Sequence, residues 1–344
     1  MTSTQKRQVR TGDIDSFNYV LPRELIAQHP IDTRHDSRLL VVKGDSFEHR
    51  RFGDIVDYLS KGDVLVVNES KVMPSKFLGA KSTGARVEVI LTRQLGSDWE
   101  AIIKGRVKID ECLDFGSFSV KVVSKDEGIA VLRFSTPLTL QDIEMHGEIP
   151  IPPYVRVPLK QKERYQTVYS KIPGSVAAHT AGLHFSEDLL KKIEGKGVVI
   201  ARILLHISYA TFFPVRGSIS DHKMHAEFCC IDKANAALIN NRKARLVAVG
   251  TTVVKTLETF ADKKGTIQPG CMDSGLFIYP GYKFKAKIDG LITNFHLPKS
   301  TLLLLVCAYY GKDRIMAAYS EAIKEKYRFY SFGDAMLLEN LHPQ

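Results

Sequence analysis

The run Arg245-Leu246-Val247-Ala248-Val249-Gly250-Thr251-Thr252-Val253-Val254 decides how this chain folds. Residues 245–249 read as a strand, Gly250-Thr251-Thr252 turns sharply, and a helix is predicted over 253–260 with no longer loop between. The same order recurs on either side. Residues 64–67 form a continuous apolar stretch of the kind buried on both faces of a sheet. A helix opened by Ser186, with Glu187 and Asp188 in the first turn where the helix dipole favours acids, precedes a strand over 198–207. Residues 290–293 read as a further strand and pass through Asn294-Phe295-His296-Leu297-Pro298 into a helix capped by Ser300 that stops at Gly311. Strand, short loop and helix in repetition predict an α/β protein, a mostly parallel sheet with flanking helices. Function is then expected on the loops beyond the carboxyl ends of the strands.

Nearer the start, a helix is predicted to begin at Pro22, a strand to cover 39–42 and a short helix to cover 54–59. From 68 to 148 the texture changes. Short alternating segments at 87–91, 99–103, 118–123 and 129–134 are separated by turn residues such as Gly96-Ser97-Asp98, which predicts an inserted small all-β barrel. A stiff Pro-rich run over 147–154 leads out of it. The expected organisation is a discontinuous α/β catalytic domain over 1–67 and 149–344, with the barrel domain over 68–148.

A chain of 344 residues, 44% hydrophobic and 25% charged, can bury a full core, and it is expected to be folded beyond its first dozen residues. Lys and Arg number 48 against 38 Asp and Glu, a net charge of +10 that accommodates a polyanion such as nucleic acid. Five cysteines, at 112, 229, 230, 271 and 307, lack metal-like spacing and read as free thiols in a reducing compartment. The charged opening lacks a following apolar stretch, and the longest apolar run, 302–310, is less than half of what a bilayer requires. A cytoplasmic protein with no membrane association is expected.

Four segments can carry chemistry. Residues 164–185 interleave aromatics, hydroxyls, small residues and imidazoles without a helical or strand period, as a loop shaped around a ligand would. His222-Lys223-Met224-His225-Ala226-Glu227 sets two imidazoles three apart and a carboxylate two further on, suited either to proton transfer or to a zinc ion. The Gly250-Thr251-Thr252 turn leaves N–H groups at a helix start, where a carboxylate or phosphate can sit. Residues 327–337 crowd aromatics beside Arg328 and Asp334, offering stacking for a purine, a face for a sulfonium and an acceptor for a sugar hydroxyl.

Seven motifs, in order, resemble one family, the S-adenosylmethionine:tRNA ribosyltransferase-isomerases of queuosine biosynthesis. They are 21–28 with 37–40, then 164–169, 174–185, 222–227, 250–252, 292–298 and 327–337, covering nearly all of the chain. The resemblance implies that the ribosyl part of S-adenosylmethionine is transferred and isomerised onto the 7-aminomethyl-7-deazaguanine at the wobble position of a tRNA anticodon loop. Adenine and methionine are released and an epoxyqueuosine is left. S-Adenosylmethionine is a consumed co-substrate, and no metal or other cofactor is implied.

Breaking a C–H bond beside the sulfonium requires a base, and the departing adenine requires an acid. Candidates are His184, His206, His222, His225, Glu227 and His296, of which His222, His225, Glu227 and His184 are taken as catalytic. Substrate contacts are expected from Arg164, Tyr165, Gln166, Thr180, Gly182, Gly250, Thr251, Thr252, Asn294, His296, Arg328 and Asp334. The chain departs from the family pattern at His179, Ala210, Lys255 and Gly105, where Pro, Gly, Arg and Pro are usual. Lys for Arg loses a bidentate fork. Two other readings stand beside this one, a non-catalytic tRNA-binding paralogue and a zinc-dependent hydrolase at His222 and His225. A monomer or weak homo-oligomer is expected.

Overall fold

Because successive side chains of a strand point to opposite faces, an all-apolar strand must be covered twice. In the computed structural model, which describes residues 13–339 except Glu127, Arg216 and the side chain of Ala210, the strand Val64–Asn68 meets this condition. Val64 and Val66 join one buried cluster and Leu65 and Val67 another. The expectation for the first dozen residues falls outside the described ones.

In chain order the strands are β1 (Arg38–Lys43), β2 (Ser46–Arg51), β3 (Val64–Asn68), β4 (Ser70–Val72), β5 (Lys76–Lys81), β6 (Arg86–Leu95), β7 (Asp98–Lys104), β8 (Cys112–Asp114) and β9 (Ser119–Asp126). They continue with β10 (Ile129–Phe134), β11 (Ile172–Ser175), β12 (Val199–Leu205), β13 (Glu227–Ile231), β14 (Leu246–Val249), β15 (Gly270–Ser274), β16 (Gly290–Asn294) and β17 (Ala335–Glu339). The helices are α1 (Leu140–His146), α2 (Glu187–Gly195), α3 (Lys233–Asn240), α4 (Thr251–Phe260), α5 (Thr301–Tyr310) and α6 (Lys312–Lys324).

The large sheet has the order β15-β13-β12-β3-β14-β16-β17-β1-β2. It is mixed: β12, β3, β14 and β16 run parallel at the centre, while β16–β17, β1–β2, β12–β13 and β13–β15 are antiparallel. Val253, Val254 and Leu257 of α4 and the Leu303–Leu305 stretch of α5 cover one face. Phe52, Ile55 and Leu59, with Phe185, Leu189 and Ile193, cover the other. The caps follow the sequence: Ser186 accepts from the Leu189 amide and Ser300 from the Leu303 amide.

Strands β5–β10 close into a six-stranded antiparallel barrel in the order β10-β7-β6-β5-β8-β9, around Phe77, Val89, Leu91, Trp99, Leu113 and Leu132. The parallel pair β4–β11 forms the neck beside it.

Three local expectations change. The segment after Pro22 makes only a 3-10 turn over Arg23–Leu25, because its backbone is used elsewhere: Phe329 N–H donates to Leu25 O and Ala27 N–H to Phe329 O. The short helix at 54–59 is likewise a 3-10 segment, Phe52–Tyr58. Not all cysteines are free thiols. Cys230 and Cys271 lie directly opposite each other on β13 and β15 and form a disulfide, leaving Cys112 exposed and Cys229 and Cys307 buried. Among the described residues, no helix is long and apolar enough to cross a membrane.

Candidate active site

The four parallel central strands, β12, β3, β14 and β16, all end on one edge of the sheet, and the barrel stands over part of it. Between them lies a cleft of about 900 Å³. The barrel wall contributes Thr92, Arg93, Gln94, Trp99, Glu100 and Ile102; the sheet contributes His206 just after β12, Ser208, His222, His225, Glu227 at the start of β13 and Asp273 on β15. A regular strand turns alternate side chains away, yet Thr92, Arg93 and Gln94 all line the cleft. A register shift between Leu91 and Arg93 explains this, since a bulge re-aims side chains. Arg93 Nη2 donates to Asp273 Oδ2 at 2.8 Å, tying barrel to sheet at the rim.

Glu227 forms the floor and is 7% exposed. One carboxylate oxygen accepts from the Ser208 amide at 2.9 Å, and the other accepts from Lys255 Nζ at 2.8 Å, from α4. The His206 ring stacks on Phe228, with Nδ1 2.7 Å from Ser70 Oγ, and burial pushes its pKa down to about 4. His222 packs edge-on against Phe277, and its pKa is lowered first by burial and then by neighbouring His225. His225 is exposed. Both therefore reach the cleft from an irregular segment that follows the 3-10 turn Ile219–Asp221, and neither lies on a helix. Imidazoles beside a hydrogen-bonded carboxylate are equipped to accept and return protons.

A zinc ion fits this donor set poorly. The Glu227 carboxylate is taken by Lys255, and no three His, Cys, Asp or Glu side chains among the described residues converge in metal-holding geometry.

The other expected residues lie along the same sheet edge but outside this cleft. His184 is buried: Nδ1 lies 2.7 Å from Ser37 Oγ, Nε2 lies 3.2 Å from Asn294 Oδ1, and burial lowers its pKa to about 4. It lines a niche of about 20 Å³ with Arg164 and Arg328, room for about one water and far too small for a purine. Arg164 donates to the carbonyls of Ile31 and Asp32, and Arg328 to those of His29 and Phe332. Asp334 accepts from the amides of Arg38 at 3.0 Å and Arg328 at 2.8 Å. These side chains tie loops together.

His296 is buried against Thr293 Oγ1 at 2.8 Å, and burial pushes its pKa to about 3. The Asn294 amide donates to Tyr330 O. Tyr165 is fully buried and packs edge-on against Phe332. Thr180 and Gly182 sit in the 3-10 turn Thr180–His184, where the Tyr169 hydroxyl fills the space over Gly182. Gly250, at φ 90°, precedes Thr251 and Thr252 at the start of α4, and Thr252 Oγ1 lies 3.2 Å from Nδ1 of buried His179. Gln166 clips Val72, accepting from its amide and donating to its carbonyl. It lines a side pocket of about 270 Å³ that shares Met73, Leu140 and Pro173 with the main cleft.

Sequence reasoning thus placed His222, His225 and Glu227 where they meet, and kept His206 among its candidates. It did not find Arg93, Trp99, Glu100 or Asp273, or the partnership of Lys255 with Glu227. The last had a visible trace, a lysine set between Val253-Val254 and Leu257 on a helix.

A family model described as queuosine biosynthesis protein matches residues 14–338. A curated S-adenosylmethionine:tRNA ribosyltransferase-isomerase from Desulforamulus reducens is 48% identical over 339 residues, spanning 94% of this chain and 99% of that protein. The crystal structure of an S-adenosylmethionine tRNA ribosyltransferase from Thermotoga maritima is similar at 36% identity and a TM-score of 0.55, with coverage of 94% and 99%.

Proposed function

The chain belongs to the queuosine biosynthesis protein family, and we propose that its barrel–sheet cleft transfers and isomerises the ribosyl part of S-adenosylmethionine onto a tRNA base. The acceptor is the 7-aminomethyl-7-deazaguanine at the wobble position of the anticodon loop, and the product is an epoxyqueuosine, with adenine and methionine released. The observation that carries this reading is the convergence of Glu227, His206 and His222 on one large cleft walled by the barrel.

Burial sets the chemistry. A C–H bond beside a sulfonium is acidic enough to break when a base is held against it and water is kept out. His222, its pKa lowered, is largely neutral at pH 7 and fits the base; Glu227 beside it supplies a fixed negative charge against the sulfonium. The proton taken can be returned to the leaving adenine. Single-stranded loops are read by splaying a base onto aromatic and guanidinium surfaces, and Arg93 at the rim of the cleft supplies the guanidinium. The net charge of +10 favours the phosphates. No resident metal or cofactor takes part, and the enzyme acts in the cytoplasm as a monomer or weak homo-oligomer.

The test is incubation with S-adenosylmethionine and tRNA carrying the precursor base, following adenine by chromatography. Adenine formed only with precursor tRNA supports the reading. Retention of tRNA without adenine rejects it in favour of a binding protein.

A further inference from the structure

Resting on that ribosyl-transfer reading, we propose that Lys255 is a positioning residue, holding the Glu227 carboxylate ionised and fixed at the floor of the cleft. Lys255 belongs to α4, whose neighbouring residues Val253, Val254 and Leu257 are core, and it is itself 5% exposed. An ammonium is almost never buried so deeply unless paired. Its Nζ donates to Glu227 Oε2 at 2.8 Å, while the Ser208 amide donates to Oε1 at 2.9 Å. Donors from two different elements therefore fix both oxygens of a carboxylate that begins a third, β13. A buried ion pair is weak evidence for stability, because desolvation offsets its attraction. Its place on the cleft floor gives it a different use.

Without its cation, a buried carboxylate tends to take up a proton and loses the negative charge set against the sulfonium. The other ionisable groups facing this point are His206, His222 and His225 from the sheet side, Cys229 on β13, and, across the cleft, Glu100 on the barrel and the Asp273–Arg93 pair. His206 is held neutral, with its pKa near 4, and the Cys229 thiol is pushed up to about 11, so near pH 7 the first supplies no cation and the second no competing anion.

The test compares full-length Lys255→Met, Lys255→Arg and Glu227→Gln with the unaltered enzyme, measuring adenine formation from about pH 6 to about pH 9. Lys255→Met should lose on the order of tenfold or more at neutral pH and regain activity as pH rises, about tenfold per unit. Lys255→Arg should stay within a few-fold and keep the original profile, and Glu227→Gln should be low throughout. An infrared difference spectrum gives a readout independent of turnover. Lys255→Met should show a protonated-carboxyl band at neutral pH that Lys255→Arg lacks and that Glu227→Gln removes from the double variant. Absence of that band, or a folded Lys255→Met enzyme with an unchanged pH profile, overturns the proposal. No adenine from the unaltered enzyme would reject the ribosyl-transfer reading instead, with the infrared result still deciding the role of Lys255.

Discussion

Arg93 on the barrel and Asp273 on the outermost strand of the large sheet meet at 2.8 Å across the rim of the cleft, in an ion pair whose side chains are 47% and 39% exposed. Solvated pairs of this kind contribute at most about 1 kcal/mol, so the pair joins the two units without locking them. Arg93 is also placed to meet a phosphate. Arg93→Ala should move the urea midpoint by the equivalent of less than about 1 kcal/mol, raise KM for tRNA and lower the salt slope of tRNA binding by about one. An unchanged slope would remove the phosphate contact.

Four imidazoles, three of them buried and His206 half-buried, make stability depend on pH in a fixed direction. Burial pushes His179 and His296 down to about 3, and His184 and His206 to about 4. In the unfolded chain they titrate near 6.5, so between roughly pH 6.5 and pH 4 the unfolded state binds the extra protons. Stability is therefore fully present above the unfolded value and lost as pH falls, by up to about 1.4 kcal/mol per pH unit for each ring. Asp334, its pKa raised by burial, works in the opposite direction. Chemical denaturation at pH 7, 6 and 5 should show a steepening loss; a flat profile would contradict the neutral, buried rings.

Gly174 lines the cleft at φ 149°, and a Cβ added there would overlap the His206 ring. Gly174→Ala should cost about 1–3 kcal/mol by overpacking and, by displacing His206, lower adenine formation more than the stability loss explains. Thermal melts beside single-turnover rates separate the two effects.

The strand–turn–helix framework was readable because fully apolar strands such as 64–67 and capped helices such as the one opened by Ser300 carry their own local signals. The antiparallel pairings of β16 with β17 and of β13 with its neighbours were not readable, since pairing direction is a long-range choice that a strand's own residues do not record. Proximity in sequence identified the 222–227 cluster. It could not place the Arg93 bulge opposite Asp273, because those residues lie far apart in the chain and meet only once the barrel stands over the sheet. The polar residues of 164–185 and 327–337 showed the opposite problem. Their polar groups looked free in sequence, but in the fold Arg164, Gln166 and Arg328 donate to backbone carbonyls of neighbouring loops and Asp334 accepts from backbone amides, while the hydroxyls of Tyr165, Thr167 and Tyr169 are buried without a hydrogen-bond partner among the described residues.

Asp334 tests that last point. Two part-buried amides, of Arg38 and Arg328, depend on it, so Asp334→Ala should destabilise by about 1–3 kcal/mol. KM for S-adenosylmethionine should stay unchanged in the folded fraction. A large KM effect with unaltered stability would return Asp334 to the substrate site.

Single-turnover adenine release by Glu227→Gln, with both substrates saturating, tests the cleft's role most directly. The variant should fold and bind tRNA normally while the rate falls on the order of a hundredfold or more. Release at the unaltered rate would place the chemistry elsewhere on the sheet edge.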